Sequence, residues 1–150
     1  MHFLAQFAIL ATLFIIIMSA LGIVLYVLMS VGLYRLATNA GIENAWLAWI
    51  PIGNLYIMGR LIDSIQLGSI EVPSLHIVLP VAFVVFLLFR RVAVLGPVLS
   101  LFMYVFMIIC LYYLFRKYSS DKAVLYTVLG AVLPFLLPIF IFAIRDRRPE

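Results

Sequence analysis

The sequence predicts an all-α, polytopic helical membrane protein with four transmembrane helices and one Pro-broken segment, in a single domain spanning residues 1–150. Three observations carry this. Residues 1–34 contain no Lys, Arg, Asp or Glu. A helix of that length extends roughly 50 Å, against about 30 Å for the hydrocarbon core of a bilayer. Second, 67% of residues are hydrophobic and 11% charged, with a mean hydropathy of +1.27. A soluble domain is nearer half apolar and a quarter charged, and a chain this short has too little interior to hide such a surplus. Third, the basic residues sit in small groups at the ends of apolar runs: Arg35; Arg60; Arg90 and Arg91; Arg116, Lys117 and Lys122; Arg145, Arg147 and Arg148. Membrane helices are flanked in this way. The net charge of +4 therefore reads as headgroup attraction and does not point to nucleic acid.

Taken in order, the first span covers residues 2–34 and is tilted or projects beyond the membrane. Its run is too long for a secretory signal and lacks a basic start. Ser19, Gly22 and Tyr26 form a small-and-polar stripe suited to a close helix contact, within the chain or between copies. The second span covers 73–89, with Pro73 expected in its first turn, where a missing N–H costs nothing. The third covers 94–115, with Gly96 and Pro97 near its start. The fourth covers 123–144, entered through the capping residues Ser119, Ser120 and Asp121. Arg90 to Val92 is a tight connection, which predicts an antiparallel hairpin of the second and third spans.

Residues 45–62 admit two readings. As a straight crossing the segment spans about 27 Å, barely enough. Broken at Pro51, it becomes two short helices, interfacial or re-entrant. Leu55, Met58, Ile62 and Ile65 share one helical face while Arg60, Asp63 and Ser64 share another, which favours the surface. Trp46 and Trp49 also suit the headgroup level. With four crossings the basic residues divide evenly between the two sides. With five they favour an outside N-terminus and a cytoplasmic C-terminus, with the 116–122 loop opposite the C-terminal arginines. The charge count thus leans toward five.

The stretch from Leu33 to Tyr56 reads LYRLATNAGIENAWLAWIPIGNLY. Its Ala40, Gly41, Trp46, Ile50, Pro51, Asn54 and Tyr56 resemble a box in small bacterial multi-pass membrane proteins of unknown function. In that family an aromatic residue usually stands two places after the Pro; here Gly53 does. The resemblance covers 33–56 and implies a bacterial inner-membrane protein, without implying an activity. Physically, Gly41 suits a left-handed helix end, Asn44 can cap the next short helix, and Pro51 frees backbone carbonyls that the Asn54 amide could satisfy. Trp46, Trp49, Pro51, Asn54 and Tyr56 then either anchor and bend one segment or line a cavity for a substrate or lipid headgroup.

Ionisable residues inside spans are functional candidates by default, and His76 is the one that qualifies, as an interfacial hydrogen-bonded His or as a titrating one. Asp63, Glu71, Asp121, Asp146 and Glu150 fall outside or at span edges, which argues against a proton-coupled carrier. Two histidines and the lone Cys110 make no metal set. Ser19, Ser30 and Ser100 have no base at helical spacing. No phosphate loop or intramembrane protease motif occurs, so neither an enzyme nor a cofactor is expected. In the fourth span Gly130, Pro134 and Pro138 recur every fourth residue and predict a kinked helix with freed carbonyls at Gly130 and Pro134. That stripe reads as bent packing or as a hinge beside a cavity. Tyr104, Tyr112 and Tyr113 can hydrogen-bond in the third span.

The expected function is a structural or accessory membrane subunit working through helix–helix contacts, in lipid, with its own copies or in a larger complex. The alternative is a small oligomeric transporter or channel for a lipid-like or apolar solute. A lipid-directed enzyme would rest on His76, Arg60 and Asp63 alone.

Overall fold

The computed structural model describes all of residues 1–150 and is all-α apart from one small β-hairpin. Six helices follow in order: α1 (His2–Asn39), α2 (Pro51–Ile62), α3 (Leu75–Phe89), α4 (Leu95–Tyr118), α5 (Ala123–Val132) and α6 (Leu137–Ala143). Short 3-10 turns stand at Ala45–Trp49, Ser120–Lys122 and Pro134–Leu136. The helices α1 and α4 are long and apolar enough to cross a membrane.

α1 runs past the expected end at Tyr34 to Asn39, with Thr38 Oγ1 bonded to the Tyr34 carbonyl at 2.8 Å. It stops where Gly41 takes φ +71°, and Ile42 N–H returns to the Ala37 carbonyl at 2.9 Å. This is the left-handed ending foreseen for Gly41. Asn44 does stand at the next N-cap, but its side chain makes no capping bond. The chain breaks at Ile50, where the backbone is extended, and restarts with Pro51 in the first turn of α2. Pro is tolerated there because that N–H has no helical partner.

The segment from Ala45 to Ile62 is a folded-back pair. Its tip touches α1, where the Tyr26 hydroxyl donates to the Trp49 carbonyl. Tyr26 lies about 20 Å up α1 from Asn39 at helical rise. α2 then descends to where it began: Lys117 Nζ bonds the Leu61 carbonyl at 2.7 Å, Glu150 N–H bonds the Lys117 carbonyl at 2.8 Å, and Asn39 Nδ2 bonds the Arg145 carbonyl at 3.2 Å. The straight crossing is thus not adopted. Nor does α2 lie on a surface: Gly53, Asn54, Leu55, Ile57, Met58, Gly59, Leu61 and Ile62 are all buried. Its expected apolar face ends at Ile62, since Ile65 belongs to a strand.

Strands β1 (Ile65–Leu67) and β2 (Ile70–Val72) pair antiparallel with Leu67 opposite Ile70. The two-residue turn needs a positive φ, and Gly68 supplies it at +64°. Pro73 lies before α3 and not in its first turn; the helix starts at Leu75 after Ser74. α3 instead holds Pro80 in its interior, which has no N–H for the His76 carbonyl. α3 and α4 form the expected antiparallel hairpin. Gly96 makes the turn tight: a Cβ there would meet the Arg90 carbonyl.

The largest departure concerns residues 123–144. The expected single span breaks at Leu133 and folds back on itself. Tyr126 of α5 stacks on Phe140 of α6 with ring centroids 4.4 Å apart, and a Cβ on Gly130 would collide with Leu137. The 120–122 turn and the C-terminal tail therefore meet, with Arg147 Nη1 3.7 Å from Asp121 Oδ1 and Ser120 Oγ donating to Glu150. This corrects the reading that put the 116–122 loop opposite the C-terminal arginines. Ser119 Oγ bonds Asp121 and does not cap α5, which follows Lys122. Two prolines four residues apart, preceded by Gly130, separate the two arms completely where a kink was expected.

The core lies toward this charged end. Leu33, Leu36 and Ala37 of α1, most of α2, Leu75 and Leu79 of α3, the Phe106 to Tyr118 half of α4, and Ile141 and Ile144 form one buried cluster. Gly32 lets α1 approach α6, since a Cβ there would lie 2.9 Å from Ile141 Cγ2.

Candidate functional site

The residues singled out from the sequence fall into two places that share no cavity. The first is the α2 hairpin and the start of α3. A Cβ on Gly59 would meet the backbone of Leu75 and His76, so α2 and α3 touch main chain to main chain. That contact sets Tyr56 edge-on to His76, ring centroids 5.5 Å apart and planes at 88°. The His76 side chain makes no hydrogen bond, so no partner orients it as a base. Gly53 closes the tip against the Leu47 carbonyl in the same way. Trp46 and Trp49 stay on the outside, 57% and 43% exposed.

Asn54 is buried, and its backbone N–H bonds the Ile50 carbonyl at 2.8 Å. Its side chain makes no hydrogen bond, so it does not supply the freed carbonyls. The bond that satisfies the tip comes from Tyr26, through Trp49. Ser30, one helical turn along α1 from Tyr26, is fully buried and its hydroxyl is unpaired.

The second place is the α5–α6 break. Tyr104, Met107, Ile108, Leu111, Gly130, Ala131, Pro134 and Leu137 line an apolar cavity of about 240 Å³. Tyr104 donates to the Ala131 carbonyl at 2.7 Å. A carbonyl freed by the break is thereby held at Ala131, while the Pro134 carbonyl expected to be free accepts from the Leu137 N–H. Pro138 lies outside this lining, so the expected three-residue stripe is not assembled. A second apolar hollow of about 270 Å³ opens between α4 and α5 at Ile108, Ile109, Tyr112, Val124, Thr127 and Val128. Both suit hydrocarbon and offer nothing to a charged ligand. No three His, Cys, Asp or Glu side chains converge anywhere.

No protein family, curated protein or solved structure matches this chain. The likeness of the Ala40 to Tyr56 box thus rests on its own seven residues. Sequence reasoning passed over Gly59 and Pro80, and named Gly53 only as a departure from the box, without its contact to the Leu47 carbonyl. Both glycines stand in α2, six residues apart on either side of the Asn54 to Met58 stretch. Small residues at close helix contacts are the signal that marks such positions.

Proposed function

We propose that the chain is a multi-pass membrane protein that works as an accessory subunit through helix–helix contacts, with no catalysis of its own. In this reading α1, α3 and α4 cross the bilayer and the Ala45–Ile62 and α5–α6 hairpins are re-entrant. Charge supports that threading. All six acidic residues and every basic residue except Arg90 and Arg91 then lie on one side. By the positive-inside rule that side is cytoplasmic and the N-terminus is outside. Irregular backbone at membrane depth needs protein around it, which fits the burial of α2.

The observation that carries the subunit reading is the outer part of α1. From His2 to Val24 every side chain is exposed except a half-buried Ala11. The helix has 38 residues, about 57 Å at helical rise against a hydrocarbon core of about 30 Å. An apolar rod that makes so little contact with its own bundle, and overshoots the bilayer, suits a partner helix from a second copy or a larger complex. Single cysteines at Ile16 or Gly22, on a Cys110→Ala background, should cross-link to a neighbour in native membranes. A strictly monomeric chain with no cross-linked species overturns the reading.

The transporter alternative draws support from one feature, the cavity beside the Gly130–Pro134 break. Its lining is apolar, so the solute would be lipid-like. Flux of such a solute into proteoliposomes, lost on filling the cavity with Gly130→Leu, is its test.

A further inference from the structure

At the charged end, Ile62, Tyr113, Arg116, Lys117 and Glu150 line a hollow of about 260 Å³. Its walls are the last turns of α2 and α4 and the C-terminal tail. Hydrogen bonds hold each wall in place. Lys117 Nζ donates to the Leu61 carbonyl at 2.7 Å, the Tyr113 hydroxyl donates to the Gln66 carbonyl at 2.6 Å, and Glu150 N–H donates to the Lys117 carbonyl at 2.8 Å. The one carboxylate in the lining is already engaged. Glu150 accepts from Ser120, and its Oε1 lies 3.9 Å from Arg147 Nη1.

Arg116 differs from every group around it. It is exposed and takes part in none of the ion pairs or side-chain hydrogen bonds. Its guanidinium keeps all five donors in a planar fork, the geometry that matches phosphate oxygens. Lys117 has two donors beyond the one given to Leu61. Ile62 adds an apolar wall beside them.

We propose that this hollow binds a phosphate group, with Arg116 as the bidentate partner and Lys117 as the second cation. An anionic phospholipid headgroup and free inorganic phosphate share that chemistry. The lipid source rests on the membrane placement proposed above, which sets this end at headgroup level, where basic pockets between helices take anionic lipids.

The full chain in phosphatidylcholine nanodiscs, with and without phosphatidylglycerol, tests the site by native mass spectrometry of retained lipid. Arg116→Gln should weaken phosphatidylglycerol retention about five-fold, the loss of one basic contact. Arg116→Lys should recover part of it. Arg148→Gln, a basic residue at the same end but outside the hollow, should change nothing. Competition by inorganic phosphate assigns the site to the free anion; resistance to it assigns the lipid, and either result supports a phosphate site. Equal losses in Arg116→Gln and Arg148→Gln, or no loss in Arg116→Gln, overturn it. Failure of the chain to enter nanodiscs would be visible before any lipid is counted, and would overturn the membrane placement instead.

Discussion

Arg147 and Asp121 are joined across the mouth of the α5–α6 hairpin, Nη1 to Oδ1, at 3.7 Å. Had residues 123–144 formed one straight helix, its ends would stand about 33 Å apart at helical rise. The contact brings the start of α5 and the tail after α6 to the same end of the molecule. The proposed threading, with three crossings and two re-entrant hairpins, follows from that fold-back and its counterpart at Ala45–Ile62.

Side-specific labelling checks this threading. On a Cys110→Ala background, Lys122→Cys and Arg148→Cys should react with an impermeant maleimide from the same side of sealed vesicles. Arg91→Cys should react from the other. Reaction of Lys122→Cys and Arg148→Cys from opposite sides would falsify the fold-back.

The ion pair itself contributes little. Arg147 and Asp121 side chains are 41% and 61% exposed, so Asp121→Asn should cost less than about 1 kcal/mol and the effect should fade with added salt. Packing holds the hairpin. Gly130→Leu, which forces a side chain into the space of Leu137, should cost about 1–3 kcal/mol by overpacking. Thermal unfolding of both variants in the same detergent compares the two.

Gly59 should be hard to replace. Any Cβ there meets the main chain of Leu75 and His76, and main chain cannot move aside as a flexible side chain does. Gly59→Ala should lower stability by about 1–3 kcal/mol and separate Tyr56 from His76. Gly22→Ala, with nothing within 4 Å, should leave the melting temperature unchanged.

Tyr104→Phe removes the hydroxyl held by the Ala131 carbonyl at 2.7 Å. The expected loss is about 0.5–1.5 kcal/mol, the ordinary worth of one such bond. Faster amide exchange should appear around Leu133 to Leu136, whose geometry that bond steadies.

Much of this architecture was legible in residue order. The α3–α4 hairpin followed from the Arg90–Val92 connection, the end of α1 from Gly41, and the break before α2 from Pro51. The folding-back was not legible, for a physical reason. Apolar content decides that a segment avoids water, but a full crossing and a half-depth hairpin avoid it equally well. Pro134 and Pro138 signalled a bend, and only the stacking of Tyr126 on Phe140 fixes how far it goes. The close contact at Gly59 was hidden because it joins elements separated by the β-hairpin. That hairpin was not anticipated by the all-α reading, although Gly68 and Ser69 stand between two short β-favouring runs. Local sequence suggests the Asn54 amide as the donor at the break, a role that Tyr26, distant in sequence, fills.

The turn at Arg90–Val94 has a consequence for biogenesis. In the proposed threading it is the one connecting segment that must be translocated, and it carries two guanidinium groups and no carboxylate. An inside-negative potential opposes outward passage of each by roughly 2.3 kcal/mol per 100 mV. De-energising the cells should therefore ease delivery of this hairpin, and exchanging both arginines for glutamate should make the potential an aid.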